Sequence, residues 1–577
     1  MSVLPSAEAS SGLDGIFLKS STVTPTLTPT VTPPVMAPVM ATAAPKKMVI
    51  RANEPPIILI PQPSDDVDDP LNWSITKKLI IFACICFAGF AGQMSPNSNQ
   101  LTFVLQIPNY VGRTQADMLN TVAAALAGWM LGPFILVPWA ALVGRSSVIF
   151  WSLIATLACQ VWAAKMTGPN DFIPFAISRA ICGVFGVIPA ILGTGYIMDM
   201  FFLHQRGKAF AIFEVLIIFA VVGGGTLGGF VAEYGPWSNV FWWTVGPIAG
   251  AAIAVFVFVE DTTFPRAPNA VQRPALPKAW FANRVATFFP GTKTQAGTLD
   301  KRAAVFRRFI VPLQITITPI TLLIGTFVFI ALGLPIMQAS TLAIYLMPPV
   351  SAGGYGFSAL QLAFFTMTAW AGIISAQLYG YLFNDRVPLA VTRRFGGIWR
   401  LEYRLANTML PGSLLPIGLA IYGVGLQLHL HYMVLALASF LIWFAALLAL
   451  PVCYNYIVEC FVQTPVEASV ALNSYRIAFG LMSVFIITQW QSAVGVGWMW
   501  GMGAIFVLLV DGLMMFVLCN GHEVRKYTNR VSTTIAVTED GQKIMERPGS
   551  ISRAEMLREF NAVTDSALLR QEAAALV

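Results

Sequence analysis

The sequence predicts an all-α membrane protein whose twelve transmembrane helices form two six-helix pseudo-repeats, and three observations carry that prediction. Of 577 residues, 56% are hydrophobic and 11% charged, with a mean hydropathy of +0.69, whereas soluble domains carry roughly 25% charged residues. Apolar runs long enough to cross a bilayer while pairing every backbone N–H and C=O internally recur twelve times along the chain. A polar segment at 260–312, with nine Lys or Arg and Pro265, Pro268, Pro274 and Pro277, divides those runs into six and six.

Taken in order, residues 1–76 are rich in Thr, Pro and Ala, as in STVTPTLTPTVTPPVMAPVMATAAP at 21–45, and cannot bury a core. A disordered cytoplasmic tail is expected there. No apolar signal region precedes residue 77, so the first span is expected to direct insertion. The first half, 77–259, holds runs at 78–96, 118–142, 147–164, 172–198, 209–233 and 239–259. After the central loop, 260–312, the second half, 313–519, holds runs at 315–346, 358–383, 410–427, 432–457, 467–490 and 495–519. The run at 315–346 exceeds one span, and an interfacial part is expected within it. Residues 520–577 form a second polar tail.

Basic residues set the expected orientation. Connections on one side hold Arg145, then Arg206 and Lys208, then Arg386, Arg393, Arg394, Arg400 and Arg404; those on the other hold Arg113 and Lys165. The richer side is expected to be cytoplasmic, with both termini there. The net charge of +7 thus reflects topology, and its dispersal over many loops argues against a nucleic-acid partner.

Several chemistries are excluded by pattern. The seven cysteines lie in or beside apolar runs, so no disulfide framework is expected, and the C-I-C at 84–86 is too close-set for two metal ligands on one helical face. No metal and no cofactor are expected. PGTKT at 290–294 lacks the glycine and Lys-Ser/Thr spacing of a phosphate loop, which argues against ATP coupling. The four histidines, at 204, 429, 431 and 522, lie in loops or at run ends without an acidic partner motif, so an enzyme is not expected.

Ionisable residues inside apolar runs are costly and mark cavities or pathways. Arg179 stands on one helical face with Gly183, Gly186, Pro189, Ala190 and Gly193. Glu214 lies about one and a half turns inside the fifth run; a carboxyl enclosed there suits the binding and release of a proton. Arg476 lies in the eleventh run beside Asn473, Ser474 and Tyr475, with Asp511 of the twelfth expected either as its counter-ion or as a residue near the inner interface. Arg179, Glu214, Arg476, Asn473 and Asp511 are therefore the candidate substrate and proton pathway, with Arg179 expected to partner Glu214.

Near the basic ends, Asp199 and Glu459 stand 260 residues apart, each closing a long apolar run, which suggests a duplicated half. Arg145 can pair with Asp199 in one conformation and separate in another. Arg145, Asp199, Arg206 and Glu459 form the candidate cytoplasmic gate. The run GGGTLGG at 223–229 reads as a hinge or a close-packing seam, so Gly183, Gly224, Gly228 and Gly229 are candidate hinge or packing positions. Trp129, Trp139, Trp370 and Tyr379 are candidate cavity aromatics.

DPLNWS at 69–74, Gly144-Arg145, Ser178-Arg179 with Gly183, DMFFLHQRGK at 199–208, Gly228-Gly229-Phe230, Asn384-Asp385, TRRFGGI at 392–398, YGVGLQ at 422–427 and LNSYR at 472–476 come in order along residues 68–530. Together they resemble the major facilitator superfamily, and within it the fungal branch similar to drug:proton antiporters. The chain departs from that pattern in lacking an acid before Gly144, a second Arg after Arg145, and the proline that would stand at Gly225. The resemblance implies a major facilitator fold and a monomer working by alternating access. It implies a small-molecule substrate and protons as partners within the lipid bilayer, and efflux of a drug, toxin or secondary metabolite. A nutrient uptake carrier and a transporter-derived sensor are the alternative readings. The plasma membrane is the expected location, with the vacuolar membrane as the alternative.

Overall fold

The computed structural model describes residues 69–262, 279–289, 302–384, 386–394, 400–461 and 464–536, together with 48–49, 57–58, 63–64 and 66. Both expected tails lie largely outside the described residues. Of the first compact unit, residues 1–58, what is described is an antiparallel strand pair, Met48–Val49 with Ile57–Ile58.

The second unit holds twelve helices long and apolar enough to cross a membrane. They are spans 1 to 6, Ile75–Asn97, Gln115–Ala140, Arg145–Lys165, Phe172–Met200, Lys208–Glu233 and Asn239–Phe258, and spans 7 to 12, Pro319–Leu346, Ala359–Phe383, Leu401–Gln427, Tyr432–Cys460, Val466–Val494 and Val496–Arg525. Their packing repeats. In the first half span 1 packs on 5, 2 on 4, and 3 on both 4 and 6; in the second, span 7 packs on 11, 8 on 10, and 9 on both 10 and 12. The halves meet along two seams, span 2 against 11 and span 5 against 8. Because spans alternate, the starts of spans 1, 3, 5 and 9 and the ends of spans 4, 10 and 12 share one face, here the basic face.

Local chemistry explains the boundaries. Asp69, fully buried, caps the turn Pro70–Asn72 through the Leu71 N–H at 3.0 Å and takes the Ser64 hydroxyl at 2.9 Å. Lys78, buried one turn later, donates to the Leu71 carbonyl at 2.9 Å, so the DPLNWS motif builds the start of span 1. Spans 2 and 3 are joined at Gly144 and spans 11 and 12 at Gly495, with φ of +108° and +80°, conformations that a Cβ would strain. Span 4 is interrupted at Val187, just before Pro189.

Three expected boundaries move. The run at 315–346 resolves into a helix Arg302–Thr316, which crosses the expected start of the second half, and span 7 from Pro319. The central loop contains a helix, Trp280–Phe288, held by Ser147 and Trp151 side chains that donate to the Phe288 carbonyl, each at 2.9 Å. The last helix runs to Ala536, beyond the expected end at 519. All seven cysteines are free.

Candidate functional site

A cavity lies between the halves, walled by spans 1, 2 and 5 on one side and 7, 8, 10 and 11 on the other. The wall is mainly aliphatic. Its polar groups include Asn97, Gln100, Trp129, Gln338, Thr366 and Arg476. Gln338 is 1% exposed and lies beside the Tyr422 hydroxyl, and the Trp129 indole N–H lacks a hydrogen-bond partner. A polar atom left bare at a buried wall suits a ligand that supplies its partner.

Arg476 is the charge on that wall. Its Nη2 donates to Asn473 Oδ1 at 2.8 Å, and Asn473 Nδ2 donates across the seam to the Trp129 carbonyl at 3.3 Å. That carbonyl is available because span 2 carries Pro133, which has no N–H to return to residue 129. Glu214, on span 5, lies in the electrostatic field of Arg476 without a direct ion pair, and the Tyr454 side chain of span 10 feels both. Glu214 is half-buried and is not among the residues that line the cavity.

The structure therefore pairs the expected charges differently. Arg179 does not partner Glu214. It is 2% exposed, donates through Nη2 to the Pro96 carbonyl and through Nη1 to Gln160 Oε1 at 3.4 Å, and lies 5.2 Å from the centre of the Phe241 ring. Gln160 in turn donates to the Ser95 carbonyl at 2.6 Å. A cation and an amide thus close the carbonyl end of span 1, where the helix leaves acceptors unsatisfied and the dipole favours positive charge. Arg179 does reach a small side pocket shared with Asn97, Gln100 and Trp129.

Asp511 is likewise not the counter-ion of Arg476. It packs against span 9, where a Cβ on Gly412 would fall 2.1 Å from its Oδ1, and that oxygen has no hydrogen-bond partner. Glycine at 412 is what admits the carboxyl between spans 9 and 12.

On the basic face, Arg145 donates to Asp199, which also accepts from the Thr262 hydroxyl at 3.1 Å. The Arg145 guanidinium lies over Gly195, 2.8 Å from where a Cβ would stand. In the second half Arg404 pairs with Glu459 at 2.8 Å. Arg206 reaches span 4's end: Nε donates to the Phe201 carbonyl at 2.9 Å and Nη2 to the Met198 carbonyl at 2.6 Å, a side-chain cap on a helix C-terminus. In the second half, Arg525 at the end of span 12 meets the buried Glu402 at 3.2 Å.

The glycines sit at helix contacts. A Cβ at Gly183 would lie 2.2 Å from the Ala125 carbonyl oxygen, at Gly224 2.3 Å from that of Met94, and at Gly228 2.1 Å from that of Ser98. Gly229 faces Ala363 of span 8. The helix Leu203–Glu233 runs unbroken through Gly224, Gly228 and Gly229, which is the geometry of a packing seam. Of the four aromatics, Trp129 lines the cavity, Trp370 donates to the Thr226 hydroxyl at 3.1 Å across the span 5–8 seam, Trp139 is exposed, and Tyr379 makes a tilted ring contact with Phe383. No cluster of three or more metal-ligating side chains occurs among the described residues.

Gln338, Tyr454 and Gly195 were not singled out from sequence, and Arg404 was read there only as a topology charge, not as a gate residue. Arg404 could have been, since it stands 259 residues after Arg145, nearly the spacing that relates Asp199 to Glu459. Gln338 and Tyr454 carry no pattern that separates them from other polar residues in apolar runs.

Comparison with known proteins places this architecture. Residues 79–461 match the family model of the Major Facilitator Superfamily. The MFS transporter fsa7 of a Fusarium species is 27% identical over 475 residues, covering 80% of this chain and 88% of its own. The efflux pump radE of Floropilus chiversii is 26% identical, covering 75% and 78%. Among solved structures, the xylose transporter XylE from E. coli, in a partially occluded inward-open conformation, superposes with a TM-score of 0.53 at 14% identity, over 77% of this chain and 97% of that one.

Proposed function

The chain belongs to the Major Facilitator Superfamily of transporters, and from that premise we propose that it exports a small organic compound by proton-coupled alternating access. The observation that carries this reading is a charge relationship between the halves: Arg476 on the cavity wall of one half, and Glu214 on the other half, outside the lining but within the field of Arg476. A carboxyl that changes charge there alters the attraction between the halves, and states of an alternating-access carrier differ by only a few kcal/mol.

In this reading the basic face is cytoplasmic. The ion pairs Arg145–Asp199 and Arg404–Glu459 hold the basic ends of spans 3 with 4 and 9 with 10, so each half rocks as a unit. The sparse polar groups of the cavity fit a largely apolar compound better than a polyhydroxylated one, which would need a partner for each hydroxyl. Efflux is supported by a relative named as an efflux pump. The plasma membrane is the proposed location, and the monomer the proposed unit.

The test is an untargeted comparison of compounds retained by cells with and without the protein, followed by transport of the leading compound in proteoliposomes under an imposed pH gradient. Outward movement that collapses with the gradient supports the proposal. Movement indifferent to pH, or accumulation inside cells that make the protein, overturns it.

A further inference from the structure

We infer that the hydrogen bond from Asn473 to the Trp129 carbonyl is a releasable tie between the halves, made possible by Pro133 and controlled by where Arg476 points. The inference rests on the proposed function only for its link to protons.

An α-helical carbonyl normally accepts from the N–H four residues on, so Trp129 O would be occupied by residue 133. That residue is proline, inside the 29-residue helix Gln115–Val143. The orphaned oxygen is at the seam with span 11, and the amide of Asn473, 3% exposed, occupies it. In hydrocarbon a carbonyl without any donor is costly, so the bond fixes one register of span 2 against span 11.

Asn473 holds that bond in only one orientation of its amide. Oδ1 accepts from Arg476, which leaves Nδ2 for Trp129. If Arg476 turns toward an ionised Glu214, the amide loses the donor that orients it and the tie to span 2 loosens. A protonated Glu214 leaves Arg476 on Asn473 and keeps the tie. The charged and titratable groups facing Glu214 are Arg476 of span 11 and Tyr454 of span 10. Asn473 is thus a positioning residue: it converts the position of a guanidinium into contact between helices of opposite halves.

Pro133 supplies an unusual test. Pro133→Ala returns an N–H to the helix and gives Trp129 O an internal partner, which competes with Asn473 without touching span 11. Asn473→Leu removes the donor directly. Spin labels on Cys substitutions at Ile75 and Tyr381, both exposed and at the basic ends of spans 1 and 8, report the separation of the halves there in the full chain reconstituted in lipid, with Cys519→Ser to remove the exposed thiol. Each single variant is expected to change the ratio of near to far populations at least fivefold at fixed pH, and to flatten its pH response. The double variant is expected to match either single, because both remove one bond.

Additive effects, or an unchanged population ratio in Pro133→Ala, would overturn the tie. If both variants share one non-additive shift while the unmodified protein shows no pH response, the tie stands and the proton-coupled reading falls. Should Asn473→Leu fail to fold, Pro133→Ala with Asn473→Ser carries the same comparison.

Discussion

Arg404 and Glu459 form an ion pair at 2.8 Å at the places where Arg145 and Asp199 pair in the other half, 259 and 260 residues earlier. Duplicated pairs at equivalent helix ends mean that the basic face is stapled twice, once within each half, by the same span-to-span geometry. Because each pair joins helices of a single half, neither is itself a bond that must break for the halves to separate. The consequence is that the pairs set the shape of the helix ends that meet, and their loss should alter conformational bias before it alters folding.

Asp199→Asn is therefore expected to lower turnover more than abundance. The side chains are about one-fifth exposed, between surface pairs and buried ones, so an effect on the order of 1–2 kcal/mol is expected, roughly 5- to 30-fold in the balance of states. Transport rate per molecule, normalised to protein in the membrane, measures it. Unchanged transport would leave Asp199 as a topology charge.

Gly195→Ala tests the same staple from the opposite side. The new methyl would meet the far end of the Arg145 side chain, which can move without disturbing the backbone. Abundance and thermal stability should stay near those of Gly246→Ala, where no atom lies within 4 Å, while turnover falls toward that of Asp199→Asn. By contrast, Gly183→Ala drives a methyl into the backbone of span 2, and a loss of about 1–3 kcal/mol in stability is expected. Thermal unfolding in detergent separates Gly183→Ala from the other two, and turnover separates Gly195→Ala from Gly246→Ala.

Orientation is open to direct labelling. Arg393, exposed on the helix Arg386–Arg394, should be accessible as Arg393→Cys only from the cytoplasm in a Cys519→Ser background, because five arginines at 386–404 oppose translocation. Modification by an impermeant maleimide added outside intact cells would invert the topology.

The fold was legible because hydrocarbon imposes one rule on every span: the helix must pair its own backbone over about 20 apolar residues. Twelve runs could be counted without knowing their neighbours. The single ion pair Arg145–Asp199 was legible because both residues sit at run ends facing one loop region. Partners inside the bundle were not. Whether Glu214 faces Arg179 or Arg476 depends on how spans 4, 5 and 11 rotate about their axes, and a chain with weak amphipathic contrast leaves that rotation unspecified. The Trp129 carbonyl was hidden for another reason: Pro133 advertises a kink, but not which residue of the other half takes the freed oxygen.

Three carboxyl and guanidinium positions separate coupling from architecture. Glutamine keeps the size and hydrogen-bonding shape of a protonated glutamate and cannot ionise, so Glu214→Gln should abolish transport driven by a pH gradient while counterflow exchange persists in part. Asp511→Asn should leave both intact, because Asp511 packs between spans 9 and 12 and Glu214, not Asp511, lies in the field of Arg476. Arg179→Leu should instead lower stability by about 3–5 kcal/mol, since its removal strands the carbonyl end of span 1 inside the bundle. Proteoliposomes with an imposed gradient, run beside counterflow on the same preparation, distinguish the outcomes. Gradient-driven transport that survives Glu214→Gln and fails in Asp511→Asn would move the proton site to the span 9–12 interface and reverse the assignment.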